Sequence, residues 1–340
     1  MGPLLARIAP MLATLAVLVV AISVLMPGFL DVSIANGRLY GSPVDVLNRG
    51  APVALLAIGM TLVIATGGID LSVGAVMAIA GAVAARAITD GFGLPAALGL
   101  SLATGIACGL WNGFLVAVLK IQPIVATLIL MVAGRGIAQL VTEGAILTFN
   151  HPGLAFLGSG AVGTVPVPVL VWIGAAILAG LVVRRTALGL LIEAIGINRR
   201  ASALVGVRTH TLVLAVYMVS GLCAALAGLI ATADIRGADA NNAGLWLELD
   251  AILAVVIGGT SLLGGRFSIL ASLIGAMIIQ SVNTGILTAG FPPEFNLVIK
   301  AGIIVLILTI QSPAVSGALG YAFRRREPGT PEPKNAEARS

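Results

Sequence analysis

Long, uninterrupted apolar runs follow one another along most of this 340-residue chain, and they constrain its fold more than any other feature. Only 10% of the residues are charged, against about 25% in an ordinary soluble domain, so the chain could not cover a water-exposed surface. The runs are continuous rather than alternating, which favours membrane-spanning helices of about 20 residues over an outer-membrane barrel. The sequence therefore predicts an all-α integral membrane protein without a sizeable soluble domain.

Ten transmembrane helices are predicted from these runs, with glycine-rich breaks between the second and third and between the eighth and ninth. They cover residues 8–26, 51–69, 71–88, 93–118, 123–141, 166–183, 210–232, 249–263, 268–288 and 295–311. Most basic residues fall in loops on the same side as the N-terminus, and basic loops are typical of the cytoplasmic face. We therefore expect both termini in the cytoplasm, a transmembrane domain over residues 1–312, and a disordered cytoplasmic tail over the polar, Pro-rich residues 313–340.

A short sequence pattern occurs twice, once at each predicted break. Residues 67–74 read GGIDLSVG and residues 258–265 read GGTSLLGG, and each octet separates two apolar runs. Asp70 in the first copy and Ser261 in the second occupy equivalent positions. The pattern predicts an internal repeat, which is common among transporters.

Asp70, at the first break, and Arg135 and Lys300, within predicted spans, are charged side chains that need a partner or an exit from the membrane. Asp70 is either an ion or proton site or the N-cap of the helix that follows it, a position where Asp and Ser are both favoured. Arg135 either finds a partner or a wet cavity in the membrane or extends toward the outer water, and Lys300 is expected to extend. Cys108 and Cys223 lie in apolar runs, where we expect packing residues rather than a disulfide, and the sequence has no motif with metal-ligand spacing.

The longest predicted cytoplasmic loop, residues 184–208, is rich in arginine. Asn198 is a good N-cap and Gly206 a good stop signal, so the sequence predicts a helix of about two turns between them. Such a helix beneath the membrane either docks a partner or belongs to an ordinary charged loop that only sets the topology. Composition alone leaves both interpretations open.

This loop resembles the coupling loop of bacterial ABC sugar-importer permeases of the ribose type. The positions that carry the resemblance are Gly189, Glu193, Gly196, Asn198, Ala201 and Gly206, and Arg199 is assigned to the same ATPase-coupling set. The two octets are also similar to that family's pattern, except for Thr260 where Gly is expected, and the resemblance covers residues 45–312. Three longer stretches, 37–82, 120–136 and 233–259, resemble the galactofuranose-importing branch of the family.

The resemblance implies the permease subunit of an ATP-binding-cassette importer that carries a monosaccharide, with galactofuranose as the first candidate, across the bacterial inner membrane. It also implies three protein partners. These are a second permease (a related chain or a second copy), a periplasmic sugar-binding protein, and a cytoplasmic ATPase that binds ATP and Mg and docks on the coupling loop.

The lysine positions agree independently with an ATPase on another chain. A P-loop needs Gly-Lys followed by Ser or Thr, and none of Lys120, Lys300 and Lys334 follows a glycine. We therefore expect no enzyme activity, no cofactor and no metal on this chain, and no nucleic-acid partner.

Neutral sugars are held by amides, hydroxyls and aromatic faces. The predicted substrate pathway comprises Gln280, Asn283 and Thr284, which share one helix face, together with Asn112, Thr66 and Asp70. Interhelical hydrogen bonds are the alternative for these residues, or for Thr66 a bond to its own helix. Arg236, Asn241, Asn242 and Trp246 are predicted to form a periplasmic gate or a docking face for the binding protein, with an interfacial helix as the alternative.

Two other function classes compete with the importer. An ion-coupled secondary sugar transporter would need ionisable groups near the middle of the membrane, for which Asp70 and Arg135 are the candidates. A membrane enzyme would need a cluster of His, Asp and Ser residues or of metal ligands, and the sequence offers none. Transport that requires ATP and survives an uncoupler would exclude the secondary transporter.

Overall fold

The computed structural model describes residues 3–35, 37–290 and 293–311, and this part of the chain is mostly helical. The helices are α1 (Pro3–Leu25), α2 (Ser42–Arg49), α3 (Ala51–Ala65), α4 (Val73–Thr89), α5 (Leu94–Ala117), α6 (Pro123–Val141), α7 (Pro152–Ser159), α8 (Val167–Arg185), α9 (Leu188–Ile197), α10 (Arg199–Leu204), α11 (Thr209–Ile235), α12 (Leu247–Ile257), α13 (Ile269–Thr288) and α14 (Pro293–Gln311). The strands are β1 (Ser33–Ala35), β2 (Arg38–Tyr40), β3 (Leu147–Thr148), β4 (Ala161–Val162), β5 (Val165–Pro166) and β6 (Gly237–Ala238). The predicted tail, 313–340, lies outside the described residues.

Helix length and composition identify six candidate membrane spans in the described residues: α1, α5, α6, α8, α11 and α13. Helices α2 and α3 meet at a bend of 44° and would add a seventh if they form one span. Helices α4 and α12 are shorter, with 17 and 11 residues. The chain is thus a mostly helical membrane-type protein, and the predicted count of ten transmembrane helices is not confirmed.

Helix α11 lies at the centre of the bundle, against α3, α4 and α5. The glycine stripe Gly105, Gly109 and Gly113 on α5 faces it, and a Cβ atom at Gly105 or Gly109 would collide with the backbone oxygen of Gly221 or Tyr217. Because glycine lets helix backbones approach closely, the stripe fixes the contact between α5 and α11. Helices α5 and α11 therefore approach each other closely along this stripe.

Burial separates inner helices from outer ones. Every residue of α3 except Pro52 is buried, and α13 is buried over most of its length. Helices α6 and α8, in contrast, expose apolar side chains along one face. A helix that is apolar all round belongs inside a bundle, whereas the exposed faces of α6 and α8 are left for lipid or for another protein.

The two ends of the bundle differ. One end, which we call the loop end, carries α9 and α10. The other, the hairpin end, carries α7 and three antiparallel strand pairs, β1–β2, β3–β6 and β4–β5. A hydrogen bond from the Leu39 amide to the Thr164 carbonyl, 3.0 Å long, joins the first pair to the loop of the last.

Both glycine-rich octets are breaks between helices, as predicted. Helix α12 ends at Ile257, before the predicted limit of 263, because the glycine pair 258–259 interrupts it and Gly259 has a φ of 76°. Within the breaks, Asp70 and Ser261 make the same local turn: each side chain accepts a hydrogen bond from the backbone amide two residues later, at 3.1 and 3.2 Å. The helices that follow begin at Val73 and Ile269, at different distances from these turns, so a complete repeat is not confirmed.

The N-cap interpretation of Asp70 needs correction. The N-cap of α4 is Ser72, which makes no side-chain capping bond, whereas Ser268 caps α13 by accepting a hydrogen bond from the Ala271 amide at 3.3 Å. Asp70 stabilises the turn just before α4 instead of the first turn of the helix itself.

Candidate functional site

The α9–α10 loop contains the helix predicted between Asn198 and Gly206. The Asn198 side chain accepts a hydrogen bond from the Ala201 amide at 3.0 Å and so caps α10, and Gly206, with a φ of 88°, follows its C-terminus. Helix α9 is not predictable from the sequence, because residues 188–197 are almost wholly apolar and lack a capping signal at their start.

Four large apolar side chains on this loop are mostly exposed. Leu190 and Ile197 are each 73% exposed, Val205 is 80% exposed and Leu204 is 88% exposed. Ala201 is exposed as well. A contiguous apolar surface beside charged residues marks a site of protein contact, so the tip of the loop has the character of a docking surface.

Other residues of the predicted coupling set hold α9 on the bundle. Gly189 packs against the backbone of Val183 at the end of α8, where a Cβ atom would collide with the carbonyl oxygen. Glu193 lines a groove between α8, α9 and α13, together with Arg184. Arg199, the first residue of α10, is half-buried.

Gly196 brings α9 into contact with both glycine breaks. A Cβ atom at this position would collide with the carbonyl oxygen of Ala65 and with the backbone nitrogen of Gly265. The Gly265 amide itself donates a hydrogen bond to the Ala65 carbonyl at 2.9 Å, and a Cβ atom at Gly264 would lie 2.9 Å from the Gly67 nitrogen. We call this three-way contact of residues 65–67, 196–197 and 263–265 the glycine junction. Because its contacts are between backbones, the glycine junction links α9 directly to both breaks.

Asp70, 2% exposed, joins the first break to α5 and α11. One carboxylate oxygen accepts hydrogen bonds from the Ser72 amide and hydroxyl at 3.1 and 2.7 Å, and the other accepts one from the Ser220 hydroxyl at 2.8 Å. The Asn112 amide donates to the Ser72 hydroxyl at 2.7 Å and lies 3.5 Å from the carboxylate. Two of the predicted pathway residues, Asp70 and Asn112, therefore meet in one buried polar cluster.

The other predicted pathway residues lie elsewhere. Gln280 and Thr284 are buried on α13, where the Gln280 amide donates to the Thr284 hydroxyl at 3.4 Å. Asn283 is half-buried, and its side-chain oxygen has no hydrogen-bond partner among the described residues. The Thr66 hydroxyl donates to the Val63 carbonyl of its own helix at 2.8 Å. The structure does not bring the six residues into one site.

Residues 237–246, which we call the inserted segment, return from the hairpin end into the bundle without forming a helix. At its start, β6 pairs with β3, and Leu147 lies opposite Ala238. At its end, Gly244 packs against Gly74, where a Cβ atom on either residue would collide with the other's backbone. Gly74 lies 15 residues, or about 22 Å, before the end of α4 at Thr89. The inserted segment therefore descends deep into the membrane region before α12 begins.

Helix α6 holds the inserted segment. The Arg135 guanidinium donates to the carbonyls of Ala240 and Ala243 at 3.0 and 2.6 Å, and the Gln139 amide donates to the Asn241 side-chain oxygen at 2.7 Å. Of the two interpretations of Arg135, the structure selects the one in which it finds partners inside the protein.

The predicted gate residues share one region but not one role. Asn241, Asn242 and Trp246 are exposed on the inserted segment, whereas Arg236 lies just before it, as the left-handed C-cap of α11 with a φ of 53°. The Asn242 amide donates to the Asp239 carboxylate at 2.7 Å. Trp246 also has a positive φ, 66°, and is 51% exposed.

Comparison with known proteins decides the family. Residues 42–308 match the family described as branched-chain amino acid transport system / permease component. The galactofuranose transporter permease protein YtfT of Escherichia coli K12 is 62% identical over 303 residues, which cover 89% of each chain. The chain belongs to this permease family. Other relatives are the fructose import permease FruF of Bifidobacterium longum, 41% identical over 86% of this chain and 83% of that one, and the ribose import permease RbsC of Escherichia coli K12, 36% identical over 88% and 92%.

One ion pair in the permease corrects a prediction. Lys300 of α14 donates to both carboxylate oxygens of Asp250 on α12 at 2.9 Å, and both side chains are largely buried. Lys300 therefore does not extend toward the membrane surface but neutralises a buried acid, because an unpaired charge at that depth would be costly.

Gln139 is one of the residues whose contact in the site was not predicted from the sequence. It lies one helical turn after Arg135, so both side chains project from neighbouring positions on α6 toward the inserted segment. The only indication in the sequence was that Gln139 follows Arg135 by four residues and so shares its helix face. This spacing carries no information about residues 240–243, which lie more than 100 positions later.

Proposed function

We propose that this chain is the membrane permease subunit of an ATP-driven sugar importer and that galactofuranose is its substrate. The proposal for the sugar is supported by the 62% identity to the galactofuranose permease over 89% of both chains. Relatives at 41% and 36% identity are permeases for fructose and ribose, so the sugar differs among these three relatives while its chemical class does not.

The observation that carries the proposal is the glycine junction. An importer driven by a separate ATPase needs a structure that receives a displacement at the loop end and passes it to the membrane-spanning helices. The α9–α10 loop presents exposed apolar side chains on its tip, and Gly196 at the end of α9 touches both breaks through backbone atoms. Closure of an ATPase dimer under the loop would thereby shift α3–α4 and α12–α13 together and change access to the pathway.

The partners follow from the same arrangement. A cytoplasmic ATPase that binds ATP and Mg docks on Leu204 and its neighbours, a periplasmic binding protein delivers the sugar at the hairpin end, and a second permease completes the pathway. The chain itself supplies no covalent chemistry and holds no cofactor. In this proposal the second permease, either a copy or a related chain, lies against the exposed face of the inserted segment.

In this proposal residues 1–312 form the permease domain in the inner membrane, with both termini and the tail 313–340 in the cytoplasm. Ten membrane-crossing segments result when four more are counted with the six long helices. The four are the α2–α3 pair, α4, the inserted segment together with α12, and α14. The shared turn at Asp70 and Ser261 supports descent from a duplication, with the second break lengthened.

The test is co-purification of the complex followed by assays in proteoliposomes. We expect an ATPase and a second permease to purify with the chain, and galactofuranose with its binding protein to stimulate ATP hydrolysis and drive uptake. Uptake that proceeds without ATP and stops with an uncoupler would instead establish the secondary transporter.

Leu204→Glu is the variant that tests the docking surface. Leu204 is 88% exposed, so the change places a charge on the contact without disturbing the core, and the ATPase is expected to be lost on purification. Val162→Glu at the hairpin end, 57% exposed, is the matched control that keeps the ATPase. If the Leu204→Glu variant kept the ATPase, the proposal that the ATPase docks on the α9–α10 loop would be wrong.

A further inference from the structure

A polar patch lies on the surface of the permease where the end of α6 meets the inserted segment. Gln139 of α6 and Asn241, Asn242 and Trp246 of the inserted segment are all exposed. The exposed residues earlier in α6 are apolar, among them Val125, Leu128, Ile129 and Val132. Non-helical backbone within a membrane is tolerated only where protein covers it or where it lines a water-filled cavity, so lipid does not cover the inserted segment.

The patch has unused hydrogen-bonding groups. The bond from Gln139 to Asn241 uses one amide hydrogen and one oxygen, which leaves the Gln139 oxygen as an acceptor and the Asn241 amide as a donor. Asn242 donates to Asp239 and keeps its own side-chain oxygen. In the described part of the chain these remaining groups have no other partner. They form adjacent donors and acceptors of the kind that neighbouring sugar hydroxyls require.

Charged groups lie beside the patch. One nitrogen of the Arg135 guanidinium donates to the carbonyls of Ala240 and Ala243. The Asp239 carboxylate accepts hydrogen bonds from the amides of Asn241 and Asn242, at 3.0 and 3.1 Å, and from the Asn242 side chain. Glu143, one turn after Gln139, is exposed and paired with Arg86 at 2.7 Å. The unused groups of Gln139, Asn241 and Asn242 themselves belong to neutral amides, beside one indole ring, and these suit an uncharged polyhydroxy ligand.

We propose that Gln139, Asn241, Asn242 and Trp246 form the contact site for the sugar within the membrane, on the face that a second permease covers. The amides bind ring hydroxyls, and the indole of Trp246 packs against the apolar face of the ring. Arg135 is a positioning residue that holds the inserted segment in place. The inference rests on the proposed function. It assigns the inserted segment to recognition of the substrate instead of to gating or docking.

Uptake kinetics of the complete importer in proteoliposomes provide the first test. Asn241→Ala and Trp246→Ala are each expected to raise the KM for galactofuranose about tenfold, the effect of one lost contact of ordinary strength. Trp246→Phe should recover part of that loss. ATP hydrolysis without sugar and the affinity of the importer for the binding protein should not change. A weakened affinity for the binding protein with an unchanged KM would overturn the contact site and restore the docking interpretation.

Cysteine protection provides the second test. In a background with Cys108→Ala and Cys223→Ala, which removes both native cysteines, Gln139→Cys is treated with a maleimide in the assembled importer. Galactofuranose with its binding protein should slow labelling of this cysteine at least fivefold. Gln122→Cys, also exposed but just before the other end of α6, is the matched control whose labelling stays constant.

The outcomes separate this inference from the proposed function. If the parent complex imports galactofuranose with ATP while labelling at position 139 ignores the sugar, the contact site is wrong and the importer stands. If the parent complex imports no sugar with ATP, the proposed function is wrong, and the contact site for the sugar is wrong with it.

Discussion

The carboxylate of Asp70 accepts a hydrogen bond from the hydroxyl of Ser220 at 2.8 Å, across a separation of 150 residues. This bond ties the first glycine break to the central helix α11, and Ser72 and Asn112 complete the cluster around the same carboxylate. The carboxylate is thus occupied by hydroxyl and amide donors, which is the arrangement of a structural junction between helices and not that of a free ion carrier.

Replacement of Asp70 distinguishes these roles. Asp70→Ala leaves the donors of Ser72 and Ser220 without an acceptor, so we expect the free energy of unfolding to fall by about 2 kcal/mol, measured with sodium dodecyl sulfate in mixed micelles. Asp70→Asn retains an acceptor oxygen and should keep most of the stability and at least half of the ATP-driven uptake. Full loss of uptake by a well-folded Asp70→Asn would favour the ion-coupled alternative. Ser281→Ala, which removes only a bond within α13, is the control.

Gly196→Ala should damage coupling more than folding. The added methyl group collides with the backbones of Ala65 and Gly265, and such overpacking costs about 1–3 kcal/mol. We expect sugar-stimulated ATP hydrolysis to fall at least tenfold while the ATPase remains bound. Gly174→Ala on α8 has open space around its added Cβ atom and should leave coupling intact. Equal activity of both variants would show that the glycine junction transmits nothing.

The buried pair Lys300–Asp250 predicts a compensating double variant. Lys300→Met alone leaves a buried carboxylate without its partner and should lower the free energy of unfolding by about 3 kcal/mol. Lys300→Met combined with Asp250→Leu removes both charges and should restore most of the loss. Additive losses in the double variant, in the same detergent titration, would contradict a direct pair.

Asn198 offers a milder change in the α9–α10 loop. Asn198→Ala removes the cap of α10, which typically costs about 1 kcal/mol, and should reduce co-purification of the ATPase through fraying of the docking helix. Asn198→Asp preserves the capping oxygen and should behave as the parent protein. A loss of the ATPase from Asn198→Asp as well would mean that Asn198 contacts the partner directly and that capping is secondary.

Local signals in the sequence were sufficient for several features. The helix capped by Asn198 and the two breaks both depend on residues near one another in the chain. Their geometry follows from capping and close-packing rules that a sequence makes visible.

Long-range pairings were not visible in the same way. Arg135 gave no indication of its carbonyl partners, Lys300 none of Asp250, and Gly196 none of its contact with Ala65. Each pairing depends on how the bundle folds. The partners of Arg135 and Gly196 are backbone carbonyls, which are the same at every position, so no residue type in the sequence marks them. The grouping of Gln280, Asn283 and Thr284 with Asn112 failed as a single site for the same reason: sharing a helix face does not place two helices side by side.

The contact between Arg135 and the inserted segment bears on the order in which the protein is made. Arg135 enters the membrane 105 residues before the first of its two acceptors, at Ala240, has been synthesised. A lone arginine in a spanning helix costs about 2.5–3.5 kcal/mol on insertion scales, so the otherwise largely apolar helix α6 has to carry it into the bilayer unaided. Helix α6 thus acts as a template for the later segment. Its unpaired Arg135 is already in the membrane when the inserted segment is made and then binds it. The inserted segment by itself has too many unpaired backbone N–H and C=O groups to enter lipid.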